Sequence, residues 1–289
     1  MAYNLYGNTC FGGIMEEKRI AELGEYARQI RLLILEGVHA AKAGHPGGSL
    51  SIADIMSYLY FEKLNVDPKD PKKPDRDRFV LSKGHTAPAL YGALALRGFF
   101  PTSEIKNLRQ VDSYLQGHPD MKHIPGVDMS SGSLGLGISA ACGMALAGKI
   151  DGAKYRVYTI IGDGESEEGQ VWEAMMFAAH YKLDNLCVIL DFNGLQIDGP
   201  ITEVMNPTPH DKKFEAFGFN VITIDGHDYN QIEAAFAAAE KCKGKPTAII
   251  AKTIKGKGVS YMENAVEWHG AAPNDELYEK AVAELGGEV

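Results

Sequence analysis

Several scarcities in this 289-residue sequence exclude whole classes of protein. Its four cysteines, Cys10, Cys142, Cys187 and Cys242, are scattered with no CxxC pair, which argues against a disulfide framework or a cysteine-ligated zinc. Reduced thiols are expected, with Cys142 and Cys187 in the core. No apolar run approaches the roughly 18 to 20 residues that span a bilayer, and even Ala87 to Phe100 is broken by Arg97. Met1 to Gly13 lacks the basic start and apolar stretch of a signal peptide, so a soluble, cytoplasmic protein is expected. Positive charge is also short. The 29 Lys and Arg face 38 Asp and Glu, and the net charge of -9, with both signs interspersed, disfavours nucleic acid and anionic membrane as partners. There is no internal repeat, no low-complexity tract and no GxxxxGK[ST] phosphate loop.

The chain does have 45% hydrophobic residues and the length to bury a sizeable core. Glu16 to Lys42 carries Ile20, Leu23, Ala27, Ile30, Leu33, Ile34 and Val38 at helical spacing, and Gly44-His45-Pro46-Gly47-Gly48 then reads as a stop and a glycine-rich loop. Ser51 to Phe61 predicts a second helix, Asp67 to Asp77 a solvated loop, and Arg78 to Leu81 a short strand. Strand-like and helical segments then alternate: Tyr155 to Ile161, helix Glu167 to Tyr181, Leu186 to Leu190, Val221 to Ile224, helix Tyr229 to Cys242, and Thr247 to Ala251. Such alternation predicts an α/β fold, with a mainly parallel central sheet covered by helices and ligands bound beyond the carboxyl ends of its strands. No linker is evident, so residues 1–289 are expected to form a single domain with a helical N-terminal lead and a short helical C-terminal tail.

Two loops at expected strand ends carry the most information. Gly162-Asp163-Gly164 follows one strand and Asn193-Gly194-Leu195 the next, with one helix between them. In a right-handed crossover joining neighbouring strands these ends lie side by side, so Asp163 and Asn193 can face one ion. A carboxylate and an amide oxygen suit magnesium, which takes its other oxygens from phosphates and water. Gly162 and Gly164 let backbone approach a diphosphate. Either motif alone would be read as a turn; the pairing and spacing make a site. Gly135-Leu136-Gly137-Ile138-Ser139-Ala140 formally matches a dinucleotide fingerprint, but the preceding Asp128 to Ser133 is polar and turn-like, so helix-start packing is the better reading.

Histidine recurs in glycine-flanked loops, at His45, His85, His118 and His269. Imidazoles can move hydroxyl protons and stabilise a developing oxyanion near neutral pH. His39, His123, His180, His210 and His227 lack that context and are expected to be structural or on the surface.

Together these segments resemble the transketolase family, in its order. They run from Ala43-Gly44-His45-Pro46-Gly47-Gly48, through Arg78 to His85, Gly117-His118-Pro119 and Ser131 to Gly137, to Gly162-Asp163-Gly164, Asn193 to Gly199, and Lys252 to Gly258 with His269-Gly270. The resemblance implies a three-layer α/β/α thiamine diphosphate-binding fold. It implies that Asp163, Asn193 and the Leu195 carbonyl hold magnesium, with calcium or manganese able to replace it. It further implies cofactor contacts from His85, His269, Gly132, Ser133, Leu134, Gly162, Gly164 and Ile197, and donor-sugar contacts from His45, His118 and His269. Glu168 resembles an acid at the family's subunit interface near the cofactor, though it could equally favour the start of the helix near Glu167. Lys83 stands where a polar uncharged residue is common in the family, and Gly48-Ser49 replaces a more usual small-Pro pair, which bears on substrate preference.

The family's cofactor activation requires a glutamate on the aminopyrimidine ring, carried by a second domain, and only Asn274 to Val289 follows the last recognisable motif. The expectation is the N-terminal half of a split transketolase. It would transfer a two-carbon ketol unit between sugar phosphates only with a separate pyrimidine-binding C-terminal subunit, as a heterotetramer of two plus two. The alternatives are a split relative acting on another ketose and a non-catalytic thiamine diphosphate-binding module.

Overall fold

A computed structural model describes residues 15–288 of the chain. Cys10 lies outside the described residues. The N-terminal lead is helix α1 (Glu17–Ala41), and its apolar stripe, Leu23, Ala27, Ile30, Ile34, Leu35 and Val38, is fully buried. Two short helices follow, α2 (Pro46–Leu50) and α3 (Ala53–Tyr58), the second running into a π-turn at Leu59–Lys63. Then come β1 (Arg78–Leu81), α4 (Ala87–Arg97), α5 (Leu136–Ile150), β2 (Val157–Gly162), α6 (Gly169–His180) and β3 (Leu186–Phe192). A two-stranded hairpin, β4 (Leu195–Gln196) with β5 (Gly199–Pro200), leads to α7 (Ile201–Val204) and α8 (His210–Ala216). The chain closes with β6 (Asn220–Asp225), α9 (Tyr229–Lys241), β7 (Thr247–Lys252) and α10 (Asp275–Glu284).

The main sheet has the order β1-β2-β3-β7-β6, and every neighbouring pair is parallel. Alternation along each strand divides its side chains between two cores. From β3, Cys187 and Ile189 join the core under α1, α3, α4 and α9, while Leu186, Val188 and Leu190 join the one under α5, α6 and α8. Both faces are thus covered, which is why the strands read as continuous apolar runs. Progress from β1 to β3 runs one way across the sheet, and the step from β6 to β7 runs back. Where β3 meets β7 the direction reverses, and it is beyond the carboxyl ends at such a point that parallel sheets bind ligands.

The glycine-rich stop after α1 is present as a left-handed Lys42, but Pro46 to Leu50, expected as loop, is helical. Pro46 occupies the first turn, where its missing N–H costs nothing. The glycines that suggested a loop serve close packing instead: a Cβ at Gly47 would sit 2.9 Å from the Trp268 carbonyl oxygen.

Candidate active site

The expected site residues converge on the carboxyl edge of the sheet. Gly162 ends β2 opposite Asp191 in β3, so Asp163 and Asn193 follow adjacent strand ends. Asp163 is buried. Its carboxylate accepts the Gly164 N–H at 2.8 Å and the Gly194 N–H at 2.5 Å. Asn193 donates its amide to Asp191 at 2.9 Å, and its Oδ1 accepts the Leu195 N–H at 3.1 Å, which fixes the amide orientation. The Leu195 carbonyl accepts from the Lys255 ammonium at 3.1 Å.

Burial, and then the neighbouring Asp191 carboxylate, push the Asp163 carboxyl up to about 7. A carboxyl so destabilised either keeps its proton near neutral pH or would gain from a bound cation. One carboxylate, one amide oxygen and one carbonyl form an all-oxygen set suited to magnesium, which the chemistry of these three donors fits. Among the described residues no group of three or more His, Cys, Asp or Glu could hold a metal ion.

Asp191 carries no mark in the sequence, since it ends an apolar strand and reads as core. It is fully buried, where burial opposes its charge, but the adjacent Lys83 ammonium and hydroxyl donors hold it below the usual carboxylate range. Lys83 reaches it at 2.6 Å and Ser51 at 2.7 Å; Thr253 also donates to it. Four loops are therefore tied to one carboxylate. Asp191→Asn would leave the Lys83 ammonium buried without its countercharge, so urea unfolding should show a loss of about 3 to 5 kcal/mol. Parent-like stability would refute the pairing. Lys83, whose charge departs from the family pattern, thus points into the fold rather than toward a sugar.

Glu165 is a second carboxylate that the sequence pattern does not reveal. It is buried and accepts from Ser82 and from the backbone N–H groups of Gly135 and Gly162, knitting the ends of β1 and β2 to the start of α5. Gly135 is accordingly a helix-start glycine, as its context indicated. Lys255, conspicuous in the sequence only as part of a longer motif, is buried at the end of β7 and donates to His269 Nδ1 at 3.0 Å. Burial, then Lys83, lower it to about 8, while Asp163 and Asp191 act in the opposite sense.

Three of the four glycine-flanked histidines meet. The ring centroids of His45, His85 and His269 lie 5.1 to 5.5 Å apart. His118 is more exposed and lies beside the Gly132 backbone, which brings the expected Gly132 to Leu134 loop to the same pocket. Burial is the main cause lowering His45 to about 4 and His269 to about 3, and it puts His85 well below the usual range. These imidazoles are neutral at pH 7. An ammonium can only donate, so His269 Nδ1 accepts and its ring proton sits on Nε2. Buried His45 Nδ1 has no hydrogen-bond partner.

Ile197 projects from the hairpin and is exposed, and Glu168 is an exposed N-cap residue of α6 making no side-chain cap bond. His39, His123 and His180 are structural or surface residues, as expected. His210 is buried against Ser166 Oγ. His227 does more: it bonds Asp54 at 2.6 Å through Nδ1 and accepts the Ile254 N–H at 3.0 Å through Nε2, bracing the loop that carries Lys255.

Residues 24–288 match the transketolase, thiamine diphosphate binding domain family. The chain is 47% identical over 274 residues to the 6-deoxy-6-sulfo-D-fructose transketolase subunit SqwG of Clostridium sp. (strain MSTE9), covering 95% of this chain and 99% of that protein. It is 42% identical to an apulose-4-phosphate transketolase subunit of Phocaeicola vulgatus, covering 90% of this chain and 92% of that one. Against human transketolase the identity is 43%, and the chain spans only 44% of that protein's length. The transketolase structure from Campylobacter jejuni superposes with a TM-score of 0.88 at 37% identity, again over 44% of its chain. The chain belongs to the transketolase family and corresponds to its thiamine diphosphate-binding domain.

Proposed function

We propose that the chain is the diphosphate-binding subunit of a two-chain transketolase, acting with a separate pyrimidine-binding chain. The observation that carries this reading is the neutral cluster of His45, His85 and His269 set beside the Asp163–Asn193 loops, since a pure cofactor binder would not need the imidazoles. The coverage of SqwG and of the Phocaeicola vulgatus protein, both named as subunits, supports the division into chains. Exposed Leu136, Ile150, Met176 and Phe177 on α5 and α6, with Tyr181 just past α6, offer apolar surface for a partner, with Glu168 nearby, and two copies of each chain are expected.

Asp163, Asn193 and the Leu195 carbonyl would hold magnesium against the diphosphate, and Gly162 and Gly164 would let backbone approach it. The bound cofactor supplies a carbon nucleophile and an electron sink. His269 presents its Nε2–H as a donor to a sugar oxygen. His45, whose ring makes no hydrogen bond with a described residue, would move a hydroxyl proton, and His118 would line the outer wall. The exposed Ile197 would cover the cofactor rings, and Gly132, Ser133, Leu134 and His85 would contact it.

The test is a ketol-transfer assay with thiamine diphosphate and magnesium, using several phosphorylated and sulfonated donor ketoses. The mixed chains should turn over, and omitting either chain or adding EDTA should remove activity. Turnover by this chain alone would overturn the two-chain reading, and cofactor binding by an inactive mixture would favour a binding module.

A further inference from the structure

Behind the loop that carries Asp163 lies an imidazole that packing alone does not require. His210, the first residue of α8, is 3% exposed and sits between Phe192 and Phe214, with ring centroids 5.1 and 5.8 Å away. Its ring makes one hydrogen bond with a described residue, Nε2 to Ser166 Oγ at 2.9 Å, and its buried Nδ1 makes none. Ser166 Oγ lies 2.5 Å from the Asp163 carbonyl oxygen. A carbonyl only accepts, so the hydroxyl proton points there and His210 Nε2–H donates to the hydroxyl. Burial, and then the Lys213 ammonium, lower the ring to about 4, so it is neutral at pH 7. Nδ1 is therefore a bare acceptor among aromatic rings. Leucine would fill that space without leaving a polar atom unpaired, and a buried polar group kept in such a place calls for a function.

What the bond holds supplies one. The Asp163 carbonyl accepts twice from Ser166, from Oγ at 2.5 Å and from the backbone N–H at 3.1 Å, while the Asp163 N–H donates to the Asp191 carbonyl at 3.3 Å. With the peptides on both sides held, the direction in which the Asp163 carboxylate leaves the backbone is held too. Ser166 is itself gripped at two points. His210 bonds its hydroxyl, and Trp172 Nε1–H donates to its carbonyl at 2.9 Å, with the indole packed on Phe214 and Phe217. α8 and the residue after it thus reach the turn by two routes, and both end on the residue that clamps Asp163.

We propose that His210 is a positioning residue for the magnesium site, aiming the Asp163 carboxylate through Ser166. The proposal rests on the metal and cofactor reading above, so its test separates folding, cofactor binding and turnover.

In urea, the metal-free His210→Leu chain should unfold at a midpoint equal to or above the parent's, because an unpaired nitrogen is gone. In the two-chain enzyme the same variant should bind thiamine diphosphate at fixed magnesium at least about tenfold more weakly by calorimetry, the low end for groups behind metal ligands. The loss should lie in the apparent affinity for cofactor, with kcat restored at saturation. His210→Gln can set an amide N–H against Ser166 Oγ and should regain most of the affinity. Ser166→Ala should lose about as much as His210→Leu, and the double variant little more than either. In the isolated chain the Trp172 indole N–H resonance should shift in His210→Leu and return toward the parent position in His210→Gln. A lowered midpoint with parent-like cofactor affinity would make His210 a core residue only and overturn the proposal, as would a glutamine variant that behaves like the leucine one. If the mixed chains turn over no sugar but the affinity loss and its rescue by glutamine are present, the positioning role stands and the ketol-transfer reading fails.

Discussion

Asp163→Asn is expected to abolish magnesium-dependent binding of thiamine diphosphate to the assembled enzyme while leaving the fold intact. The amide keeps the shape but removes the only carboxylate of the proposed ligand set. Changes outside the ligand shell of metal sites already cost about 10- to 100-fold in affinity, so losing the charged ligand should cost more than about 100-fold. Calorimetry with thiamine diphosphate at fixed magnesium measures this. Parent-like affinity would remove Asp163 from the metal site.

The same substitution makes a second, opposite prediction for the metal-free chain. The folded-state carboxyl is raised from 3.8 to about 7, first by burial and then by Asp191. A raised folded pKa means the native state binds the proton more tightly than the unfolded chain. Its stabilising effect is therefore complete below about pH 4 and is lost as pH rises through 7. Above pH 7 the buried charge costs up to about 4 kcal/mol, which the asparagine avoids. Urea unfolding at pH 8 in EDTA should find Asp163→Asn more stable than the parent, and magnesium should narrow the gap. A parent whose metal-free stability is flat between pH 4 and 8 would contradict this.

The reason the site was largely legible in the sequence is visible in its construction. Gly162-Asp163-Gly164 and Asn193 follow strands whose apolar runs declare themselves, and a parallel sheet gathers strand ends on one edge whatever the details of the helices. The three histidines that meet were conspicuous because each sits in a glycine-flanked loop. Asp191 and Glu165 carry no such mark. Their roles arise from partners 30 to 140 positions away, such as Ser51, Lys83 and Gly135, and no local pattern encodes a long-range hydrogen bond. His227, expected only to be structural or on the surface, is structural, but which loop it braces could not be read for the same reason, because its partners Asp54 and Ile254 come from other elements. The α2 helix was missed because Pro46, Gly47 and Gly48 disfavour helix intrinsically, and close contact with Trp268 and Lys255 overrides that preference.

The remaining large effect separates the two histidines nearest each other in role. His45→Ala should lower kcat by roughly 100- to 10,000-fold, the usual range for a removed proton-transfer group, with little change in cofactor affinity. His45 makes no bond through Nδ1 and touches the metal loops through no hydrogen bond of its own. His269→Ala should cost a similar factor in kcat and also weaken cofactor binding, because its Nδ1 is a partner of Lys255, whose ammonium reaches the Leu195 carbonyl. With ring centroids 5.5 Å apart the two would act on one substrate, so the double variant should lose much less than the product of the single losses. Burial also sets their protonation. In the isolated chain, NMR titration should find both imidazoles neutral down to about pH 5, since His45 titrates at about 4 and His269 at about 3. A protonation midpoint near 6.5 for either would show the pocket to be wetter than its packing implies, and equal losses of cofactor affinity in the two variants would break the division of roles.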